Sequence, residues 1–251
     1  MCCFSGHVER VADTSIFARS VENGRQILVY AMTISTRTDV AMILPLPVPP
    51  GSPEDAVRFI SLKEYPDFFK DMKKGFPEPV SRSLMPTKSA RPAAVPAAPK
   101  LEVVQVGEFE ASFGPAVKDF SRLDARFRLP DQTWEQLPAY KDFGFAVFKL
   151  KPTATEIHPM AFEFPRVNPR QLFFPTVHIH DGKVHSKATF DHALYCQKRD
   201  GEKLSLPEWR ESQVTAGQFM KASQAAGVLD GALHCYLKEV RGERKNEDVV
   251  L

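Results

Sequence analysis

The chain reads as an α+β protein, a mainly antiparallel sheet with several short helices packed on it. Short apolar runs of strand length recur along it, among them residues 27–35 (ILVYAMTIS), 40–46 (VAMILPL) and 143–150 (FGFAVFKL). Between them lie stretches with apolar residues at helical spacing, opened by acids, prolines or hydroxyls. Residues 173–190 (FFPTVHIHDGKVHSKATF) read as a β-hairpin, because Asp181-Gly182 supplies the two positive-φ positions of a type I′ turn.

The elements follow in order. Thr36-Arg37-Thr38-Asp39 makes a hairpin loop between the first two runs, and Pro45 and Pro47 are expected to end the second run's ladder. Ser52-Pro53-Glu54-Asp55 starts a short helix with a hydroxyl cap and proline at the first position. Residues 67–74 form a second, with lysines at its C-terminal end and Gly75 as its stop. Residues 77–100 (PEPVSRSLMPTKSARPAAVPAAPK) change to Pro, Ala, Ser and basic side chains, a long connection or loop with polyproline-like character. The two strands before it are marginal alone, so residues 1–251 are expected to form a single domain whose sheet draws on both sides of this connection.

Residues 101–113 form an extended run. Pro115 opens a helix carrying Val117, Phe120, Leu123 and Phe127, and Asp131 begins another through Trp134 and Leu137. Strands over 143–150 and 160–164 lead to the histidine hairpin. Helices around 207–211 and 216–226 and a last strand over 232–240 complete the pattern.

The 251 residues are 43% hydrophobic and 25% charged, which is ordinary for a globular chain. A net charge of +2 argues against nucleic acid or an anionic membrane as partner. No apolar run is long enough to span a bilayer and no signal peptide opens the chain, so a soluble, cytoplasmic protein is expected. Four cysteines (Cys2, Cys3, Cys196, Cys235) do not make a disulfide framework at this length. There is no phosphate-cradling glycine loop, HExxH, GxSxG or paired CxxC, which argues against nucleotide-binding, zincin and α/β-hydrolase chemistry.

Two constellations carry chemistry. In the hairpin, period-two alternation puts His178, His180 and His185 on one face, with His178 opposite His185. Opposed residues have Cα atoms about 4.5–5.5 Å apart, so three imidazoles gather into one patch. Such a face suits a transition metal (Zn, Cu or Fe), with Cys2 and Cys3 as further ligands. His192 and His234 read as structural or exposed positions. The second constellation is the N-terminus. Removal of Met1 frees Cys2 as a nucleophile with its own α-amine as base.

Residues 30–49, ending in ILPLPVP, together with GFAVFKL and HPMAFEFP, resemble a bacterial domain family of unknown function. That resemblance implies a bacterial source and a β-rich fold. Cys2 followed by Phe17-Ala18-Arg19 is similar to the opening of the choloylglycine and penicillin-V acylase family. It implies an amidohydrolase in which Cys2 attacks and Arg19 assists. Three functions are therefore expected of this sequence. The first is a metalloenzyme acting on a small-molecule or peptide substrate, and the second an N-terminal-cysteine amidohydrolase. The third is a non-catalytic interaction protein that uses its Pro-rich segment.

Overall fold

A computed structural model describes residues 2–77, 104–106, 109–114, 116–179 and 183–251. Its strands are β1 (Cys2–Phe4), β2 (Arg10–Ser20), β3 (Arg25–Thr36), β4 (Val40–Leu46), β5 (Arg58–Ser61), β6 (Val104–Val106), β7 (Phe109–Gly114), β8 (Gly144–Leu150) and β9 (Thr153–Glu156). They continue with β10 (Met160–Pro165), β11 (Phe173–Phe174), β12 (His178–Ile179), β13 (Lys187–Gln197), β14 (Arg210–Glu211), β15 (Cys235–Lys245) and β16 (Val249–Val250). The α-helices among the described residues are α1 (Phe68–Lys74) and α2 (Asp131–Glu135).

The strands form two large sheets, ordered β12-β1-β4-β8-β7-β6 and β14-β15-β13-β2-β3-β10-β5, with β9 on β3 and a small β11-β16 pair. The protein is therefore mostly β, which corrects the expected α+β class. The sheets are also mixed, since β1 runs parallel to β12 and β13 parallel to β2. The larger sheet takes strands from both sides of residues 77–100.

Burial on both faces of the larger sheet explains why helices are scarce. Ile16 and Ala18 of β2, Leu28, Tyr30, Met32 and Ile34 of β3, and Leu194 and Cys196 of β13 face a core shared with the smaller sheet. The alternate residues Phe17, Ile27, Val29, Ala31, Ala193 and Tyr195 face a second core made with α1 and the segment around residues 216–229. Strands buried on both faces read as continuous apolar runs, which is the pattern of residues 27–34. The second core is covered by α1 and by short 3-10 turns, Ala216–Gln218 and Ala222–Gln224, where a helix over 216–226 was expected. Residues 210–211 are strand β14, not helix. Val117–Arg122 and Ala125–Phe127 are also 3-10 turns. Their Val117, Phe120, Leu123 and Phe127 still reach the core, because i,i+3 spacing repeats on one face of a 3-10 turn. The Ser52 region forms turns, with no helix.

Two local details have clear causes. The ladder of β4 continues through Pro45 to Leu46 on β8, while β1 covers only Met42 and Ile43 on its other side. Beyond Ile43 the strand is an edge, where a missing N–H is tolerated. Helix α1 stops at Gly75, which keeps a right-handed φ of −67°. A Cβ added at Gly75 would lie 2.5 Å from the Phe219 ring, so a larger residue there would have to displace that half-buried ring.

Among the described residues no helix is long and apolar enough to cross a membrane. At the rim of the larger sheet, Glu163 is gripped by Arg25 and Arg58. Burial works to raise its pKa, but the hydrogen bonds from Arg58 and Arg25 outweigh it and hold the carboxyl below its ordinary value. The unfolded carboxyl protonates near an ordinary pH of about 4.3. Below that value the unfolded chain binds more protons than the native one, so the contribution of Glu163 is present above it and lost as the pH falls further. Glu163→Gln is expected to lower stability by about 1–2 kcal/mol at neutral pH and to flatten the acid limb. Urea titrations at neutral pH and below pH 4.3 check this, and equal losses at both would refute it.

Candidate functional site

The N-terminal strand is threaded into the smaller sheet. Cys2 and Cys3 pair in parallel register with His178 and Ile179, while Cys3 and Phe4 pair antiparallel with Ile43 and Met42. Cys3 and Phe4 are buried. The exit of the strand is held by Ser5, whose N–H donates to the Ala41 carbonyl at 3.0 Å and whose hydroxyl accepts from the Ala41 N–H at 2.9 Å.

His178 itself is fixed from the C-terminal side. Its N–H donates to Asn246 Oδ1 at 2.7 Å, and Asn246 Nδ2 donates to its carbonyl at 2.9 Å. The ring of His178 meets that of His192, with Nε2 to Nε2 at 3.3 Å. Phe190 braces both rings, its centroid 4.5 Å from His178 and 5.3 Å from His192. On the far side of His192, Asp191 Oδ1 stands 3.8 Å from Nδ1.

Asp191 also anchors a distortion in β2. Register shifts between Ala12 and Ser15, and Asp13 adopts a left-handed φ of 54°. Its N–H donates to Asp191 Oδ2 at 2.7 Å. The bulge re-aims Thr14, which is 1% exposed and whose hydroxyl has no hydrogen-bond partner among the described residues. Bulges and left-handed non-glycine residues concentrate where a strand is bent for a purpose. Here they edge a cleft of about 540 Å³ lined by Thr14, His178, His185, Lys187, Phe190 and Asp191 among others.

The structure brings together some of the expected residues and separates others. Cys2 and His178 are register neighbours. His180 and the Asp181-Gly182 turn lie outside the described residues. His185 is exposed, precedes β13 and lines the same cleft, but β12 pairs with β1 and β13 with β15 and β2, so the expected 178–185 hairpin pairing is replaced. Among the described residues no group of three or more His, Cys, Asp or Glu side chains is disposed to hold a metal ion. Arg19 stands apart: its guanidinium donates to the Val228 and Gly227 carbonyls at 3.1 and 2.7 Å. It is in register with Gln197, five residues along β13 from His192, or about 17 Å at the usual strand rise. Burial lowers the pKa of Arg19, with Asp230 opposing. Cys196 and Cys235 are buried free thiols. Burial pushes Cys235 up to about 12 and raises Cys196 well above the ordinary thiol value, so neither supplies a thiolate at neutral pH. His192 is the residue that sequence reasoning passed over. Its signal was period-two alternation with Phe190, Leu194 and Cys196, which puts it on a buried face of β13.

A second cleft, of about 340 Å³, lies where the chain enters residues 77–100. Lys73, Phe76, Pro77, Tyr195 and Arg210 are among its walls. Arg210 donates to the Phe76 and Pro77 carbonyls at 3.4 Å each and lies over the Phe76 ring.

No protein-family model matches the chain, and no curated protein matches it in sequence. Solved structures do share its fold. The crystal structure of the caspase-8/P35 complex matches with a TM-score of 0.50 and 14% identity, over 96% of this chain and 95% of that one. The crystal structure of baculovirus P35 matches with a TM-score of 0.49 and 15% identity, over 98% and 99% of the two chains. At this identity the likeness concerns the fold.

Proposed function

We propose that the chain is a non-catalytic protein that captures a protease of the caspase type, using residues of its Pro/Ala-rich segment. The observation that carries this reading is the end-to-end fold likeness to a protein crystallised with caspase-8. The Arg210 contacts to the Phe76 and Pro77 carbonyls support it by tying the chain to the body of the fold just before the segment begins. A cytoplasmic setting accords with the free thiols of Cys196 and Cys235.

The composition of the segment narrows the enzyme. Residues 77–100 contain no aspartate and one acid, Glu78, against Arg82, Lys88, Arg91 and Lys100. A specificity pocket is read by charge and shape, so the matching pocket is one lined by acids that accepts arginine or lysine.

The test incubates the full chain with caspase-8 and with cysteine proteases that cleave after arginine or lysine, measuring residual activity and fragment masses. Near-complete, stoichiometric inhibition of an Arg/Lys-directed enzyme is expected. Joint replacement of Arg82, Lys88 and Arg91 by Ala should abolish it, with the melting temperature unchanged. No complex with any enzyme, or inhibition undiminished when residues 82–99 become a Gly/Ser linker, would refute the reading.

A further inference from the structure

Strands β2 and β13 pair along only part of their length. Their parallel ladder begins at Ser15 and Ala193 and runs to Arg19 and Gln197. Before it, among the described residues, Arg10–Ala12 pair with β3 alone and residues 187–191 with β15 alone. The two strands splay apart there, and the bulge at Asp13 marks the fork. The cleft of about 540 Å³ takes its walls from five consecutive residues of β13, Lys187 to Asp191, and from Val11 and Thr14 of β2. Side chains on a strand alternate between its faces, so an unbroken run of wall residues means that the strand's edge, with its backbone, forms the wall. Hydrogen bonding says which groups face the cleft. The Asn246 N–H donates to the Ser186 carbonyl at 2.9 Å, in the register that continues through Lys187 and Lys245. Alternation along an antiparallel pair then turns the N–H and C=O groups of Ala188 and Phe190 to β15, and those of Lys187, Thr189 and Asp191 into the cleft. We propose that this wedge is a docking site for an extended, acidic peptide segment of a partner protein, which adds as a strand to the open edge of β13.

A row of backbone donors and acceptors is matched by another backbone, which is how a sheet edge takes up a peptide strand. The open stretch spans five residues, or about 16 Å at the usual rise, which suits a peptide of about four to six residues. Charge sets the chemistry of that peptide. Asp191, the one acid among the described walls, is committed at the closed end, where its Oδ2 accepts the Asp13 N–H at 2.7 Å. At the open end stand the exposed His185 and Lys187, with Arg10 beginning β2. Lys187 meets Glu243 at 3.0 Å, but both side chains are exposed, and so open a pair is worth little. A carboxylate on the incoming peptide can therefore take that lysine over. This site is independent of the segment proposed to meet a protease.

The test selects random octapeptides displayed on phage against the immobilised full-length chain, then titrates the selected sequences as synthetic peptides by fluorescence anisotropy. Equimolar binding by peptides that carry Asp or Glu is expected. Thr189→Pro removes an N–H that faces the cleft, at an exposed position and outside the β15 hydrogen bonds, and should weaken binding by about tenfold. Thr189→Val keeps that N–H and should bind as the parent chain does. Lys187→Glu should weaken the acidic peptides in low salt and matter less as salt is raised. If Thr189→Pro loses its native circular dichroism, the same peptides N-methylated at every amide carry the test with the parent chain, and they should not bind. No selected peptide, undiminished binding by folded Thr189→Pro, full binding by the N-methylated peptides, or indifference to Lys187→Glu in low salt would overturn the proposal and leave the wedge to solvent.

Discussion

Phe4→Ala is expected to lower the free energy of unfolding by about 3–5 kcal/mol. Phe4 is 1% exposed and sits in the core shared by the two sheets. Its strand is only Cys2–Phe4, so there is no neighbouring turn of β1 to take up the loss. Deleting the ring removes its own burial and leaves a cavity that strands fixed on both sides cannot close. The damage is also expected to spread, because β1 is the ladder partner of β12, itself only His178–Ile179. Denaturant unfolding followed by tryptophan fluorescence measures this as a shifted midpoint at constant slope. Phe4→Leu, which refills most of the volume, should recover most of the loss. A Phe4→Ala penalty below about 1 kcal/mol would mean that β1 is not part of the cooperative core.

How much of this was legible in the chain depended on how local the determining interaction is. Val40–Leu46 falls where its apolar run predicts, and β8 and β10 follow theirs within a residue. A run buried on one or both sides announces itself whatever it pairs with. The pairing itself does not. Parallel contacts such as β1 with β12 and β13 with β2 involve no turn, so nothing in the neighbouring residues encodes them. Asp181-Gly182 did offer a local turn signal, and it led to His185 as the partner of His178. The ring that meets His178 is instead His192, fourteen positions away. The stretches misread as helices fail for a related reason. Apolar residues at i and i+3 satisfy a 3-10 turn as well as an α-helix, and the larger sheet needed only short covers over its second face. The bulge at Asp13 left no mark, since aspartate tolerates the left-handed region without the glycine that would have flagged it.

Asp248→Ala is the second large effect expected, about 3–4 kcal/mol, from the loss of three donors' partner at once. One carboxylate oxygen accepts the N–H groups of Thr176 and Val177 at 2.7 and 3.0 Å, and the other accepts the Tyr140 hydroxyl at 2.6 Å. Tyr140 is 4% exposed, so its hydroxyl has little access to water as a substitute. Burial raises the pKa of Asp248 above its ordinary value in spite of those donors, and burial followed by Asp248 itself raises that of Tyr140. A raised native value means the folded chain holds the Asp248 proton more tightly than the unfolded one. The stabilisation this gives is complete below about pH 3.9 and is lost as the pH climbs through the raised native value. Asp248→Asn keeps an acceptor for the two N–H groups and has no charge to bury, so its stability relative to the parent chain should rise with pH across that window. Thermal melts of parent and Asn variants from pH 3 upward, on the scale set by the ordinary carboxyl value, should therefore show the Asn variant gaining on the parent as the pH rises; parallel curves would count against a raised native pKa. The consequence reaches the histidine cleft. Asp248 holds the backbone of Thr176 and Val177, Asn246 holds that of His178, and both acceptors belong to the same C-terminal segment. Loosening that segment with Asp248→Ala removes the fixed backbone from which His178 reaches His192, while Asp248→Asn keeps it.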